Sequence, residues 1–233
     1  MDQNTISTVM VGRAEPFGPN GEPSAIRKRH VTGPVELGRL GLEGDEHVYH
    51  LHGGPDKALL HHAEEHYRMW KEVLDDFDLG PSLFGENIIT EGMTESTVCI
   101  GDRYRIGRDV VVEASQPRQP CWKLGYNAGR MEIPRLMQDR AVTGWYYRVV
   151  SSGPIQAGDR LELIDRPLPE WTLSRVITGF YGKPMEKAFL RSLMEMELLG
   201  IEWRAAARNR IQSGQVEEWT NRLYGPLAEA AAN

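Results

Sequence analysis

The sequence predicts a mainly β protein with helices (an α+β fold), in which a closed or nearly closed β-barrel precedes a small three-helix bundle. Residues 1–165 contain short β-prone segments broken by Gly and Pro, whereas the residues after Asp165 follow helical spacing. The 24 glycines and 14 prolines agree with many turns between short elements. With 233 residues, the chain is long enough to bury a sizeable core in one domain or two.

Six segments of the first part are predicted to be strands. They cover residues 7–11, 87–90, 102–106, 110–114, 145–150 and 160–164. The last four are rich in β-branched and aromatic residues, which strands favour. One helix over residues 63–76 interrupts this pattern, and a second short helix is predicted over residues 133–139. Many short strands with few helices favour a barrel.

The second part begins with a Pro-rich linker at residues 166–169. We therefore predict a barrel domain over residues 1–165 and a three-helix domain over residues 166–233. Apolar residues at positions 173, 176, 177 and 180 have the i, i+3, i+4, i+7 spacing of a helix that Gly182 and Pro184 end. A second helix carries Phe189 and Leu193 and ends at Gly200, and a third covers residues 203–211.

The composition excludes several classes of protein. A net charge of −6 argues against broad nucleic-acid binding, which needs a basic surface. The apolar runs are too short to span a bilayer, and the first residues lack the pattern of a secretion signal. We therefore expect a cytoplasmic protein with no membrane partner. In that reducing compartment a disulfide between the two cysteines is disfavoured, although their spacing alone leaves it open.

Cys121 is the strongest candidate for a chemical centre. It follows the predicted strand 110–114 in a segment where Pro117 and Pro120 fix the backbone. Arg118 and Lys123 bring positive charge, which favours the thiolate, the form that binds metals. A small buried thiol is the competing interpretation. Cys99 differs, because it lies in an apolar run and is predicted to be structural.

Two further segments carry groups with possible chemistry. Glycines at positions 41, 44, 53 and 54, together with Lys57, would let backbone N–H groups approach a phosphate, but the spacing of a P-loop is absent. Six of the seven histidines form a cluster in the sequence, at positions 47, 50, 52, 61, 62 and 66. Among them, His62, Glu65 and His66 match the H-x-x-E-H pattern of inverted zinc peptidases. A glycine-rich structural loop and hydrogen-bonded histidines are the simpler interpretations.

These motifs, taken in order, resemble the YiiM-type MOSC-domain proteins of bacteria. The matching stretches are residues 41–45, 52–58, 65–67, 85–88, 98–102, 116–124 and 144–149, and the C-terminal helices resemble the three-helix extension of that subgroup. The similarity covers nearly the whole chain. One departure is His62-Ala63, where the family usually has an aromatic residue followed by Pro.

The resemblance implies a MOSC-type β-barrel that binds a molybdenum cofactor in its molybdopterin form, with a single cysteine as the metal ligand. That cysteine corresponds to Cys121. We expect Arg118, Lys123, Arg148 and Lys57 to hold the anionic cofactor, although Arg148 could equally form a salt bridge. Contacts to polar pterin groups are expected from Asn87 and Asp45, which could equally satisfy turn backbone. Ordinary recombinant protein can be empty of this cofactor.

The resemblance also implies a reductase of small N-hydroxylated compounds, such as hydroxylamino purine base analogues, with a role in detoxification. Electrons would come from a separate flavin reductase. One alternative is a carrier of the cofactor or of sulfur without its own turnover, because MOSC domains also occur in cofactor sulfurases. Another is a zinc-dependent hydrolase that uses His62, Glu65 and His66. The sequence leaves the oligomeric state open, with a homodimer as one arrangement.

Overall fold

The fold is organised around a curled β-sheet. The computed structural model of the protein describes residues 4–48, 53–74, 80 and 82–225. In chain order the strands are β1 (Ile6–Val11), β2 (Glu15–Phe17), β3 (Glu22–Ser24), β4 (Arg29–His30), β5 (Val35–Gly38), β6 (Gly41–Leu42), β7 (Leu59–Ala63), β8 (Ile88–Thr90), β9 (Arg103–Ile106), β10 (Val110–Pro117), β11 (Trp145–Ser151), β12 (Gly153–Ile155) and β13 (Leu161–Asp165). The helices are α1 (Glu64–Val73), α2 (Trp122–Ala128), α3 (Ile133–Arg140), α4 (Leu173–Gly182), α5 (Lys187–Glu195), α6 (Ile201–Ser213) and α7 (Thr220–Tyr224).

Eight strands form the main sheet in the order β13-β9-β10-β11-β7-β8-β1-β4. Only β7 and β8 pair in parallel among these neighbours; the other pairs are antiparallel. The sheet curls until the start of β1 reaches the residues before β13. There the Ile6 N–H donates to the Asp159 carbonyl at 2.8 Å, and the Leu161 N–H donates to the Asn4 carbonyl at 2.8 Å. The predicted, nearly closed mainly β fold with helices is confirmed.

The six predicted strands are all present, although several boundaries differ. The largest difference is at β10, which continues through Pro117 because Gln116 and Pro117 still pair with β11. Proline can end a strand without loss, since its missing N–H is not needed there. The helix predicted over residues 63–76 begins one residue later, after the extended Ala63, and position 76 lies outside the described residues. Sequence periodicity missed strands of two to five residues and the short helices α2 and α7.

The three predicted C-terminal helices are confirmed as α4, α5 and α6. Their apolar residues join the barrel side chains in one continuous core, in which Val176, Phe180 and Trp203 are fully buried. Backbone bonds also cross between the two parts, since Gly200 N–H donates to the Ser115 carbonyl at 2.9 Å. The division at residue 165 stays a prediction about independent folding. No helix in the described part of the chain is long and apolar enough to cross a membrane.

Cys99→Ser is expected to lower the free energy of unfolding by about 1–2 kcal/mol while leaving activity intact. Cys99 is 1% exposed, and its Sγ lies 3.5 Å from the carbonyl oxygen of Pro169. Burial raises the pKa of this thiol, so it stays protonated at neutral pH. Urea unfolding and turnover of the same preparation check both parts. Loss of activity in a fully folded variant would contradict the structural assignment.

Candidate functional site

A cavity of about 600 Å³ lies between one end of the barrel and the helical extension, and we call it the Cys121 cavity. Its lining combines one thiol and several cationic, amide and carboxylate side chains with aromatic and aliphatic surface. The lining residues include Ser24, Lys28, His47, Lys57, Asn87, Gln116, Arg118, Cys121, Trp122, Lys123, Tyr146, Glu202, Glu218, Asn221 and Arg222. Five of the predicted site residues therefore meet at one cavity.

Cys121 owes its place to the short link between β10 and α2. The strand ends at Pro117, the helix begins at Trp122, and the Arg118 N–H is held by the Gly144 carbonyl at 2.9 Å. Cys121 has extended backbone and a partly exposed side chain. The thiol is thus carried by rigid backbone and faces the cavity.

Three of the predicted cations line this cavity in different settings. Arg118 is 8% exposed, and its Nη1 donates to the Phe84 carbonyl oxygen. Lys123 donates from Nζ to the Pro23 carbonyl at 3.2 Å. Lys57 forms an ion pair with Glu202 of α6, with 2.5 Å between Nζ and Oε2. All three place a cationic group at the cavity wall, and the charge of Lys57 is balanced there by Glu202.

The predicted pterin contacts Asn87 and Asp45 belong to one buried network. Asn87 Nδ2 donates to Asp45 Oδ2 at 2.9 Å, and the Gly12 N–H donates to Asp45 Oδ1 at 2.7 Å. Asp45 Oδ1 also pairs with the ammonium of Lys28, a cavity-lining cation that the sequence analysis missed. Burial lowers the pKa of Lys28, and the attraction of Asp45 opposes that shift. Asn87 lines the cavity, whereas Asp45 acts beneath it by holding Lys28.

Arg148 lies outside the lining of this cavity. Its Nε donates to Asp56 Oδ1 at 2.6 Å, and its Nη1 donates to Glu113 Oε1 at 2.8 Å and to the Leu198 carbonyl at 2.9 Å. A guanidinium with these partners joins the barrel to the helical extension. Arg148 therefore has the alternative role, that of a salt bridge, and is not among the residues that line the Cys121 cavity.

The zinc-peptidase pattern does not form a helical metal site among the described residues. His62 lies on β7 and His66 on α1, and both are buried. His66 Nε2 lies 3.0 Å from a Glu95 carboxylate oxygen, while Glu65 accepts the Gly92 N–H at 2.7 Å. No group of three or more His, Cys, Asp or Glu in the described part of the chain could hold a metal ion. Positions 50 and 52 of the histidine cluster lie outside the described residues.

Stability is expected to fall as the pH drops below about 6.5, because two buried histidines resist protonation. Burial lowers the pKa of His61 to about 3 and that of His62 well below its usual value, with the nearby His66 adding to both shifts. Between pH 6.5 and about pH 3 the unfolded chain binds protons that the folded chain excludes, so the free energy of unfolding falls on acidification. Each histidine contributes up to roughly 1.4 kcal/mol per pH unit.

Urea unfolding of the wild type and of His61→Asn at pH 7, 6 and 5 measures this dependence. His61 bonds to Tyr147 and Thr90 hydroxyls at 3.0 and 2.8 Å, so the variant should be less stable at pH 7 but show a shallower decline. Equal slopes for both proteins would contradict the assignment.

Comparison with known proteins agrees with the family resemblance that the sequence motifs predict. Residues 48–162 match the MOSC domain family. The chain is 38% identical to protein YiiM of Escherichia coli (strain K12), over 93% of this chain and 97% of that protein. The chain belongs to the MOSC-domain family and is of the YiiM type. The crystal structure of YiiM from Escherichia coli matches with a TM-score of 0.78 and 31% identity, covering 95% of this chain and 99% of that chain. The resemblance stated from the motifs is confirmed.

A second relative carries the name of an activity. A protein of Gibberella moniliformis (strain M3125 / FGSC 7600) named Reductase is 38% identical over 72% of this chain, which corresponds to 30% of the larger protein. The MOSC match contains Lys57, Arg118, Cys121 and Lys123, whereas Lys28 lies before it. The cavity residues of the extension lie after it. The cavity thus combines MOSC residues with groups from both flanks.

The flanking groups were missed for an identifiable reason. Lys28 stands in the basic run Arg27-Lys28-Arg29, which could have signalled an anion site. Glu202 and Arg222 carry no local signal in the sequence, because a charged residue on a polar helix looks like an ordinary solvent-facing side chain. Their role at the cavity follows only from how the extension packs on the barrel.

Proposed function

We propose that this MOSC-domain protein is a molybdenum-cofactor-dependent oxidoreductase that reduces N-hydroxylated compounds, such as hydroxylamino purine bases, in a detoxifying role. One observation carries the proposal: the partly exposed thiol of Cys121 opens into a cavity whose walls bear Lys28, Lys57, Arg118 and Lys123. A soft sulfur ligand beside several cations suits a metal held by an anionic organic group.

The donor set fits the cofactor chemically. A thiolate ligates a soft metal, and the ammonium and guanidinium groups can bind a terminal phosphate. Both N–H groups of the Asn87 amide are used by the Met10 carbonyl and Asp45, so its oxygen is the atom that could accept a hydrogen bond from the polar edge of a pterin. The volume of about 600 Å³ lies within the range of small-molecule sites in proteins. Thiol, cations and amide therefore occupy one space of suitable size.

Each residue would then have a separate task. When bound, the cofactor would supply the two-electron redox chemistry needed to reduce an N–O bond. Cys121 would hold the metal, Arg118 and Lys123 would hold the anionic part, and Lys57 would act behind them. Asp45 and Asn87 would fix Lys28 in place. Trp122 and Tyr146 would offer aromatic surface to a heterocyclic substrate.

The relative from Gibberella moniliformis named Reductase, of which the match covers 30%, supports reductase activity over a carrier role. We propose that a separate flavin reductase supplies the electrons. Protein loaded in a host that makes the cofactor should contain molybdenum and, with a flavin reductase and its electron donor, convert a hydroxylamino purine to the amino purine. Molybdenum binding without turnover would instead support the carrier role.

Arg118→Ala is expected to weaken cofactor retention by about 1–3 kcal/mol without unfolding the protein. The substitution removes a buried cation next to the thiol and one hydrogen bond to the Phe84 carbonyl. Molybdenum content after dialysis measures retention, and Arg208→Ala, an exposed arginine on α6 outside the cavity lining, is the matched control. Equal losses in the two variants would contradict the role of Arg118.

A further inference from the structure

The residues on both sides of Cys121 contact the last described segment of the chain. Arg222 on α7 donates from Nη1 to the carbonyl oxygen of Pro120, the residue before Cys121. Its Nη2 donates to Gln138 Oε1 on α3 at 2.6 Å. One guanidinium therefore links the peptide that precedes the thiol to a helix of the barrel domain.

The residue after Cys121 is covered by the same segment. Gly225 follows α7 with φ 52°, and a Cβ built on it would lie 2.4 Å from Cδ1 of the Trp122 indole. A Cβ on Gly18 would lie 2.7 Å from Cη2 of the same indole. Two glycines thus allow backbone to approach the indole closely, and neither position has room for a side chain.

The α7 segment is itself fixed by packing. A five-residue helix has little stability alone. Here Leu223 is 2% exposed, and the Arg222 guanidinium lies 5.5 Å from the centre of the Tyr181 ring on α4. The position of the peptide that carries the thiol therefore depends on how the α7 segment packs against the rest of the helical extension.

We propose that α7 and Gly225 form a clamp on residues 120–122, with Arg222 as a positioning residue that fixes the direction of the Cys121 thiol. This inference rests on the proposed function for the importance of that thiol. Displacement of a reacting group by about 1 Å can cost about 100-fold in rate, so a fixed backbone at a metal ligand has a direct effect on turnover. The helical extension thereby becomes part of the active centre.

The test measures the rate at which iodoacetamide alkylates Cys121 in the full-length, cofactor-free chain. Cys99 is 1% exposed, so the modified peptide reports Cys121. Arg222→Lys and Gln138→Ala keep a positive charge at position 222 but remove part of the link. We expect both to raise the alkylation rate about threefold to tenfold, with Arg222→Ala as the more severe variant. Arg208→Ala, an exposed arginine on α6, is the matched control.

Loaded protein gives a second measurement. Arg222→Ala should lower kcat about tenfold and leave KM within about twofold, and Arg222→Lys should recover part of kcat. Circular dichroism and thermal unfolding establish that each variant is folded. If Arg222→Ala fails to fold, the Lys variant and Gln138→Ala decide the question.

Alkylation rates equal to wild type, or slower, in both charge-preserving variants would overturn the clamp. A rise in KM with unchanged kcat would also overturn it, because Arg222 would then contact the ligand directly. If wild-type loaded protein reduces no N-hydroxylated base, the proposed function fails, and the alkylation rates still decide whether the clamp exists.

Discussion

Cys121→Ser is expected to abolish reduction of an N-hydroxylated base by cofactor-loaded protein while leaving the fold intact. Serine has nearly the same size, and the partly exposed position tolerates a hydroxyl. Its oxygen is harder and far less acidic than sulfur, so it replaces a thiolate ligand poorly on a soft metal. The expected loss exceeds that of any single cation, since several cations share the cavity.

The measurement needs molybdenum content, circular dichroism and turnover on the same preparations. Cys99→Ser is the matched control, because it makes the same chemical change at a buried thiol away from the cavity. If Cys121→Ser keeps both molybdenum and full turnover, Cys121 is not the metal ligand, and the proposed function loses the observation that carries it.

Trp203→Ala is expected to lower the free energy of unfolding by about 3–5 kcal/mol. Trp203 is fully buried, and its ring centre lies 4.9 Å from that of Phe180. Its indole Nε1 also donates to the Pro117 carbonyl at 3.0 Å, at the end of the strand that leads to Cys121. The substitution leaves a large cavity between the extension and the barrel and leaves a buried carbonyl without its donor.

Trp203→Phe separates these two contributions, since it keeps most of the apolar volume and loses the indole N–H. We expect it to cost about 1–2 kcal/mol. Urea unfolding followed by circular dichroism and by tryptophan fluorescence would give coincident transitions if the barrel and the extension unfold together. A change below about 1 kcal/mol for Trp203→Ala would show that this contact contributes little.

Much of the fold could be predicted from local patterns. Enrichment in β-branched and aromatic residues identified β9, β10, β11 and β13. The short elements β2, β3, β4 and β6 have two or three residues and carry no period. They exist because neighbouring strands offer them hydrogen-bond partners, which no local window contains.

The centre of the candidate site was also visible locally. Two prolines, two cations and one thiol occur within seven residues of the sequence, so Pro117, Arg118, Pro120, Cys121 and Lys123 could be read together. Their chemistry follows from side chains and backbone restrictions that the sequence states directly. The sequence by itself thus determined the family and the barrel class, and it singled out Cys121 as the candidate thiol.

Tertiary structure alone decided which distant charged residues line the same cavity as that thiol. Arg148 resembled a cofactor anchor but turns toward Asp56 and Glu113, whereas Lys28, unnoticed in the sequence, reaches the cavity with Asp45 beneath it. Arg222 meets Pro120 across 102 positions of the chain. Sequence patterns report neighbours along the chain, whereas the partner of a long charged side chain depends on which distant surfaces pack together.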